Sequence, residues 1–306
     1  MKQTEVIPFM NTKNSTFLVL GGDLRQTYLA QTLAKKHTVY TYATPIPEGL
    51  VTGGVSLISL SQINKMGGVD YLILPLISTT DGVTVNSPDF FEKIYISDLL
   101  SLVKKDGLVM GGKIPADVCS FFEKNNIEYI DYFENEELVV KNTTPTAEGA
   151  LMIALEETPT TIFGSKVLIT GYGRVAKTVA RLFCAVGAEV YVVARKYSDI
   201  AWAEINGVKG IHLSKLDEII DKMDIVINTV PAVLLNRERL CSMKEDVLVI
   251  DLASKPGGVD FESAKKAGIK VIWALSLPGK VAPVSAGRII ADTLQNIITE
   301  RGDKNG

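Results

Sequence analysis

Histidine is scarce in this chain: two residues, His37 and His212, among 306. His37 closes a helix-patterned segment and His212 sits inside a short strand pattern. Neither is placed for the imidazole-driven acid–base chemistry of 2-hydroxyacid dehydrogenases. The three cysteines, Cys119, Cys184 and Cys241, lie far apart and form no C-x-x-C pair. No disulfide framework or redox motif is indicated, and each is expected to be a reduced, buried small residue. No cluster of His, Cys and acids has metal-ligand spacing, so no metal is expected. A net charge of −3 offers no basic field for nucleic acid. No apolar run reaches bilayer-spanning length. The segment 1–22, MKQTEVIPFMNTKNSTFLVLGG, has no apolar stretch before a cleavage site. A cytoplasmic chain that does not engage membranes is expected.

What is present centres on residues 166–196, KVLITGYGRVAKTVARLFCAVGAEVYVVARK. An apolar strand at 167–170 leads into Gly171-x-Gly173-x-x-Ala176, then a helix pattern, then a second apolar strand at 189–194. That context makes the glycine pattern a strong signal for dinucleotide binding. Gly171 permits a tight turn. Gly173 lets backbone approach a pyrophosphate, and Ala176 lets the helix pack on the strand. The loop assigns Gly171, Tyr172, Gly173, Arg174 and Val175 to the cofactor, whose phosphates would face the helix N-terminus. The second strand ends at Ala194-Arg195-Lys196, with two cations where a carboxylate would bind a ribose 2′-hydroxyl. Arg195 and Lys196 suit a 2′-phosphate, hence NADP.

Hydrophobic residues make up 46% of the chain, enough for two cores. The first half alternates strand patterns (16–20, 38–42, 55–60, 71–74, 108–110, 128–132) with helix patterns (24–36, 97–105, 116–125). A hydrophilic stretch at 134–137 follows. The helix that comes next has Thr144 as its cap and Pro145 at its first position, and runs to about residue 157. The second half alternates again, with strands at 167–170, 189–194, 209–213, 225–229, 247–251 and 271–273. A last helix covers 282–301. The pattern predicts an α/β protein of two doubly wound parallel-sheet domains, the N-terminal one flavodoxin-like and the C-terminal one a Rossmann NAD(P)-binding domain. The expected division is 1–142 for the substrate domain, 143–160 for a bridging helix and 161–281 for the NADP-binding domain. Residues 282–306 would then return onto the first domain, leaving a cleft for the nicotinamide.

Strand-end loops supply the other candidates. GGDLRQ at 21–26 offers Asp23, Arg25 and Gln26; Arg25 suits bidentate carboxylate binding, while capping by Asp23 and a surface Arg25 explain the same residues. Ser78 and Thr79, and Lys113 after two glycines, suit an anionic ligand, with plain turn chemistry as the alternative. Thr144 and Thr146 open the bridging helix, where capping also accounts for them. In the second half, Thr229, Val230 and Pro231 follow a strand and are expected over the nicotinamide ribose. Leu252 and Ala253 lie on the next loop with Ser254 and Lys255, which are candidates for substrate contact or proton transfer. Pro278 and Gly279 are placed to close the cofactor site.

In order, GGDLRQ, NTTPTAEGA, ITGYGRVAKTVA with VVARK, NTVPA, DLASKPGG and LPGKVAPVSAG resemble the family of dipicolinate synthase A-subunits over nearly the whole chain. The resemblance implies an enzyme of spore-forming bacteria, acting in the mother cell. It would convert 4-hydroxytetrahydrodipicolinate or dihydrodipicolinate to dipicolinate, with NADP+ as hydride acceptor. It also implies a partner, the flavoprotein-like B-subunit of dipicolinate synthase. The small dicarboxylate needs cationic or N–H-rich anchors, which Arg25, Lys113, Lys255 and the bridging-helix start supply, with Asp23 beside Arg25. A homo-oligomer is compatible with this reading. Competing readings are another two-domain NADP dehydrogenase, of the shikimate or methylene-tetrahydrofolate type, and a non-catalytic regulatory protein that binds NADP. No Tyr-x-x-x-Lys pair accompanies the glycine loop, which argues against a short-chain dehydrogenase.

Overall fold

The computed structural model describes residues 15–50 and 53–304. Most of the segment expected to lack a leader, residues 1–14, lies outside the described residues. Two compact units are present, one of residues up to Leu138 with those from Gly287 onward, the other of Val139–Ala286.

The first unit opens with β1 (Thr16–Leu20), α1 (Leu24–Leu33), β2 (Thr38–Tyr42), β3 (Ser56–Leu57), α2 (Leu60–Lys65) and β4 (Val69–Leu76). It continues with β5 (Val103–Gly112), α3 (Ala116–Lys124), β6 (Glu128–Asp131) and the start of α4 (Glu136–Lys141). All strands are parallel, in the order β3-β2-β1-β4-β5-β6. This is a doubly wound sheet. Its order is the six-strand order of dinucleotide-binding folds rather than the 2-1-3-4-5 order of flavodoxin, which sharpens the expected label. The continuous apolar strands are explained by burial on both faces. In β1, Phe17 and Val19 enter one core with Leu29, Ile73 and Met110, while Leu18 and Leu20 enter the other with Leu72, Val109 and Phe122.

The second unit contains α5 (Thr143–Glu157), β7 (Lys166–Thr170), α6 (Arg174–Ala185), β8 (Glu189–Ala194), α7 (Tyr197–Ile205) and β9 (Lys209–His212). Then come β10 (Ile225–Asn228), α8 (Arg237–Ser242), β11 (Leu248–Asp251), α9 (Phe261–Ala267), β12 (Lys270–Trp273) and α10 (Leu277–Val281). Its parallel sheet runs β12-β11-β10-β7-β8-β9, the same winding. Gly149 of α5 meets Leu277 so closely that a Cβ would stand 3.0 Å from its Cδ1.

The last helix, α11 (Pro283–Lys304), is one continuous element. Its Ile290, Ala291, Leu294 and Ile297 complete a core of the first unit. Gly287 permits the crossing over α1, since a Cβ there would lie 2.5 Å from the Arg25 carbonyl oxygen and 2.9 Å from the Leu29 nitrogen.

Several local expectations are corrected. The helix expected at 97–105 is a 3-10 turn, Ile96–Ser101, followed by the first residue of β5. Val103 pairs with Val69 in the sheet, and that non-local pairing overrides local helix preference. Within 55–60 only Ser56–Leu57 is strand, because Ser59 caps α2 through a reciprocal box with Gln62. The hydrophilic stretch at 134–137 passes into α4. Thr144 caps nothing: α5 already begins at Thr143, which places Pro145 third, and Thr143 is held by the Val140 carbonyl and the Thr178 hydroxyl. Cys119 and Cys184 are half-buried and Cys241 is exposed, so burial does not describe all three thiols.

Leu294 has no solvent exposure. Leu294→Ala should therefore destabilise the first unit by about 2–5 kcal/mol, read as a lowered denaturant midpoint for its unfolding transition.

Candidate functional site

In the second unit the carboxyl ends of β7, β10 and β11 are joined by one buried polar chain. The Thr170 hydroxyl donates to Asn228 Oδ1 at 2.5 Å. Asn228 Nδ2 donates to Asp251 Oδ1 at 2.7 Å and to the Val230 carbonyl at 3.0 Å. Asp251 also accepts the Ala253 and Gly258 backbone N–H groups, at 3.0 and 2.8 Å. Thr170, Asn228 and Asp251 are all fully buried. Burying polar groups is costly unless each is hydrogen-bonded, and here each side chain is paired with the next strand's or with the loop that follows its own strand. The glycines of DLASKPGG follow from this: a Cβ on Gly258 would meet Asn228 Nδ2 at 2.2 Å, and one on Gly257 would meet Asp251 Oδ2 at 2.8 Å. The network fixes the loops that carry Thr229, Val230, Leu252 and Ala253. Thr229 donates its hydroxyl to the Thr170 carbonyl at 2.7 Å, and the Ala253 carbonyl accepts from Trp273 Nε1 at 3.0 Å. Pro231, Ser254 and Lys255 are exposed.

Beside this network stands the glycine turn. Gly171 has φ +84° and its N–H donates to the Val193 carbonyl at 2.8 Å. A Cβ there would meet Val230 and Thr229 at 2.9 and 3.0 Å, so glycine is required. Gly173 is the N-cap of α6, receives no side-chain cap, and faces open space where its Cβ would be. Arg174 is exposed and Val175 half-buried, while Ala176 is fully buried against the sheet. The turn opens on a cavity of about 340 Å³ walled by Gly171, Tyr172, Val193, Ala194, Arg195, Lys196, Asp199, Leu213 and residues 230 and 232–234. That volume lies within the roughly 300–1,000 Å³ of small-molecule sites. A cradle that a Cβ would fill, an uncapped helix N-terminus and a cavity edged by two exposed cations fit the anionic pyrophosphate of a dinucleotide. Pro278 is buried and Gly279 half-buried within the short α10.

The wall residues Val193, Ala194, Asp199, Leu213 and 232–234 were not anticipated from the motif. The apolar ones read as strand interior and loop. Asp199 reads as an ordinary first-turn acid.

The first unit gathers its own polar groups at the carboxyl edge of its sheet. Asp23 does cap α1, accepting the Arg25 N–H at 3.0 Å. Arg25 is not a surface residue: it is 8% exposed, and its guanidinium donates to both Asp23 oxygens and to the Leu76 carbonyl at 2.6 Å. Burial raises the Asp23 carboxyl, but the hydrogen bonds and charge of Arg25 outweigh it and the net shift is downward. Gln26 is buried and donates to the Leu74 carbonyl, as does the Tyr132 hydroxyl at 3.0 Å. Ser78 is fully buried and donates to the Gly112 carbonyl at 2.8 Å, and Thr79 organises the turn to Asp81 and Gly82. Gly111 and Gly112 have packing reasons, since a Cβ would strike Ser78 Oγ at 2.7 Å or Leu76 Cδ1 at 2.6 Å. Lys113 is exposed with φ +53°, its ammonium 4.7 Å from the Phe133 ring centre. In the second unit Thr144 is exposed, and Thr146 donates to the Asn142 carbonyl at 2.9 Å. His212 stacks on Tyr197 at 4.9 Å.

Among the described residues no helix is long and apolar enough to cross a membrane. No group of three His, Cys, Asp or Glu among them can hold a metal ion.

Comparison with known proteins agrees with this division. Residues 16–133 match the model for the N-terminal domain of the dipicolinate synthase A-subunit. Residues 139–259 match the NAD-binding domain of D-isomer specific 2-hydroxyacid dehydrogenases. The dipicolinate synthase A-subunit of Bacillus subtilis is 34% identical over 92% of this chain and 95% of that protein. The crystal structure of its counterpart from Bacillus halodurans, also a dipicolinate synthase A-subunit, superposes with a TM-score of 0.84 at 32% identity, covering 93% of this chain and 97% of that one. Shikimate dehydrogenase (NADP(+)) of Methanosarcina acetivorans is 40% identical over 25% of this chain and 30% of its own.

Because nothing lies within 4 Å of a Cβ at position 173 and its φ is an ordinary −78°, Gly173→Ala should fold with an unchanged thermal midpoint. Its dinucleotide Kd should nevertheless rise roughly tenfold or more, because the backbone can no longer close on a pyrophosphate. Calorimetric titration beside a melting curve checks both halves.

Proposed function

The chain belongs to the family of dipicolinate synthase A-subunits, and from that premise we propose that this dehydrogenase converts 4-hydroxytetrahydrodipicolinate or dihydrodipicolinate to dipicolinate with NADP+. The observation that carries the proposal is the glycine turn opening on a cavity edged by Arg195 and Lys196. No carboxylate follows β8 directly, and two exposed cations suit a 2′-phosphate. The partial match to an NADP(+)-dependent shikimate dehydrogenase supports the same cofactor.

When bound, the nicotinamide supplies the hydride acceptor. The chain's own residues bind and orient. Arg25 is assigned to one substrate carboxylate: its Nε and Nη2 are already held by Asp23 and the Leu76 carbonyl, so the guanidinium plane is set before a ligand arrives. Asp23 is then a positioning residue. Lys113 is the second cation of that sheet edge. Gln26 stays inside and supports the β4 end. Ser78 and Thr79 shape the loop, with their hydroxyls turned to the protein. In the second unit Thr229 and Val230 bound the cofactor loop, and Ser254 and Lys255 are assigned the proton-transfer step. Loss of the 4-hydroxyl as water, then of a hydride and a proton, makes the ring aromatic. That gain favours the oxidation, so positioning and charge neutralisation suffice, in keeping with the scarcity of histidine. A second chain, the family's B-subunit, is the proposed partner, and a sporulating mother cell the proposed setting.

The test is formation of reduced nicotinamide from the hydroxylated tetrahydropyridine dicarboxylate generated in situ, with and without the partner chain. Appearance of NADPH is expected; none in either case would discard the reading. Arg25→Lys keeps the charge but loses the planar fork. It should raise the substrate KM by about 1.5–3 kcal/mol, roughly ten- to a hundredfold, while NADP+ affinity stays unchanged.

A further inference from the structure

Three charged residues edge the dinucleotide cavity, and one has the wrong sign for a phosphate pocket. Arg195 and Lys196 are joined on the wall by Asp199. Asp199 lies in the first turn of α7 and is half-buried. Its backbone N–H donates to the Lys196 carbonyl at 3.0 Å. Among the described residues its carboxylate forms no hydrogen bond or ion pair. A first-turn acid favours the helix dipole wherever the helix sits; that role gives no reason for the side chain to edge a ligand cavity. A carboxylate there accepts a hydrogen bond from a ribose hydroxyl and repels a 2′-phosphate at short range, in a partly enclosed space where screening is incomplete.

We propose that Asp199 is a specificity-determining residue, one that favours the unphosphorylated ribose and holds down the preference for NADP that Arg195 and Lys196 create. This rests on the assignment of the cavity to a nicotinamide dinucleotide. The protein is then a dual-cofactor dehydrogenase whose selectivity is set by two cations against one anion on the same wall, rather than by a single residue at the strand end.

The experiment is calorimetric titration of the full chain with NADP+ and with NAD+, for the parent, Asp199→Asn, Asp199→Glu and Arg195→Asp. Asp199→Asn should tighten NADP+ roughly three- to tenfold and weaken NAD+, as expected for removing one charge a few ångströms from a phosphate. Asp199→Glu keeps the charge and should stay close to the parental ratio, so a merely structural role, which would move the melting midpoint and not the ratio, is separated. A ratio that moves toward NADP+ with Asp199→Asn carries the inference whatever Arg195→Asp does, and one that moves toward NAD+ overturns it. A ratio that moves with Arg195→Asp alone overturns the inference and leaves the NADP reading standing. A ratio moved by neither overturns both.

Discussion

The buried carboxylate of Asp251 is the interaction on which the cofactor unit depends. It takes three hydrogen bonds from three directions: one from Asn228, which reaches Thr170 in turn, and two from the backbone of its own loop. A parallel sheet leaves the ends of its strands without ladder partners, and these loops must satisfy their polar groups some other way. Here one side chain on each of β7, β10 and β11 does it for all three. The glycines at 257 and 258 are the cost of bringing backbone that close.

The two units wind their sheets in the same order yet treat the first helix differently. In the first unit the N-terminus of α1 is closed by Asp23, and Arg25 closes over Asp23. An incoming phosphate would meet an internal carboxylate there. In the second unit the N-terminus of α6 is left uncapped beside open space at Gly173. One topology therefore leaves a helix N-terminus open in one unit and closes it with an aspartate–arginine pair in the other. The difference rests on whether aspartate or glycine occupies the N-cap, which is why fold alone does not assign the chemistry.

Much of this was legible because strands buried on both faces read as unbroken apolar runs, and because Gly171 sits where turn geometry demands a glycine and Gly173 where α6 starts. What was not legible involved partners distant in sequence. Val103 reads as helix until Val69 is beside it. Gly111, Gly112 and Ser78 read as a ligand loop, although the glycines are there to fit Ser78, Leu76 and Tyr132. Arg25 reads equally as surface or anchor until the Leu76 carbonyl, 51 residues away, is placed against it. Asp199 carries no local signal at all, since acids are commonplace in a first helical turn.

The docking of α11 on α1 through Gly287 gives the chain an order of assembly. The first unit needs Ile290, Leu294 and Ile297 to close one of its two cores, and these come off the ribosome after all of Val139–Ala286. The second unit is continuous in sequence, whereas the first draws on residues from both sides of it. The amino-terminal half must wait for the carboxy-terminal helix. Shortening the chain before residue 287 would leave a finished nucleotide-binding unit attached to one that cannot close.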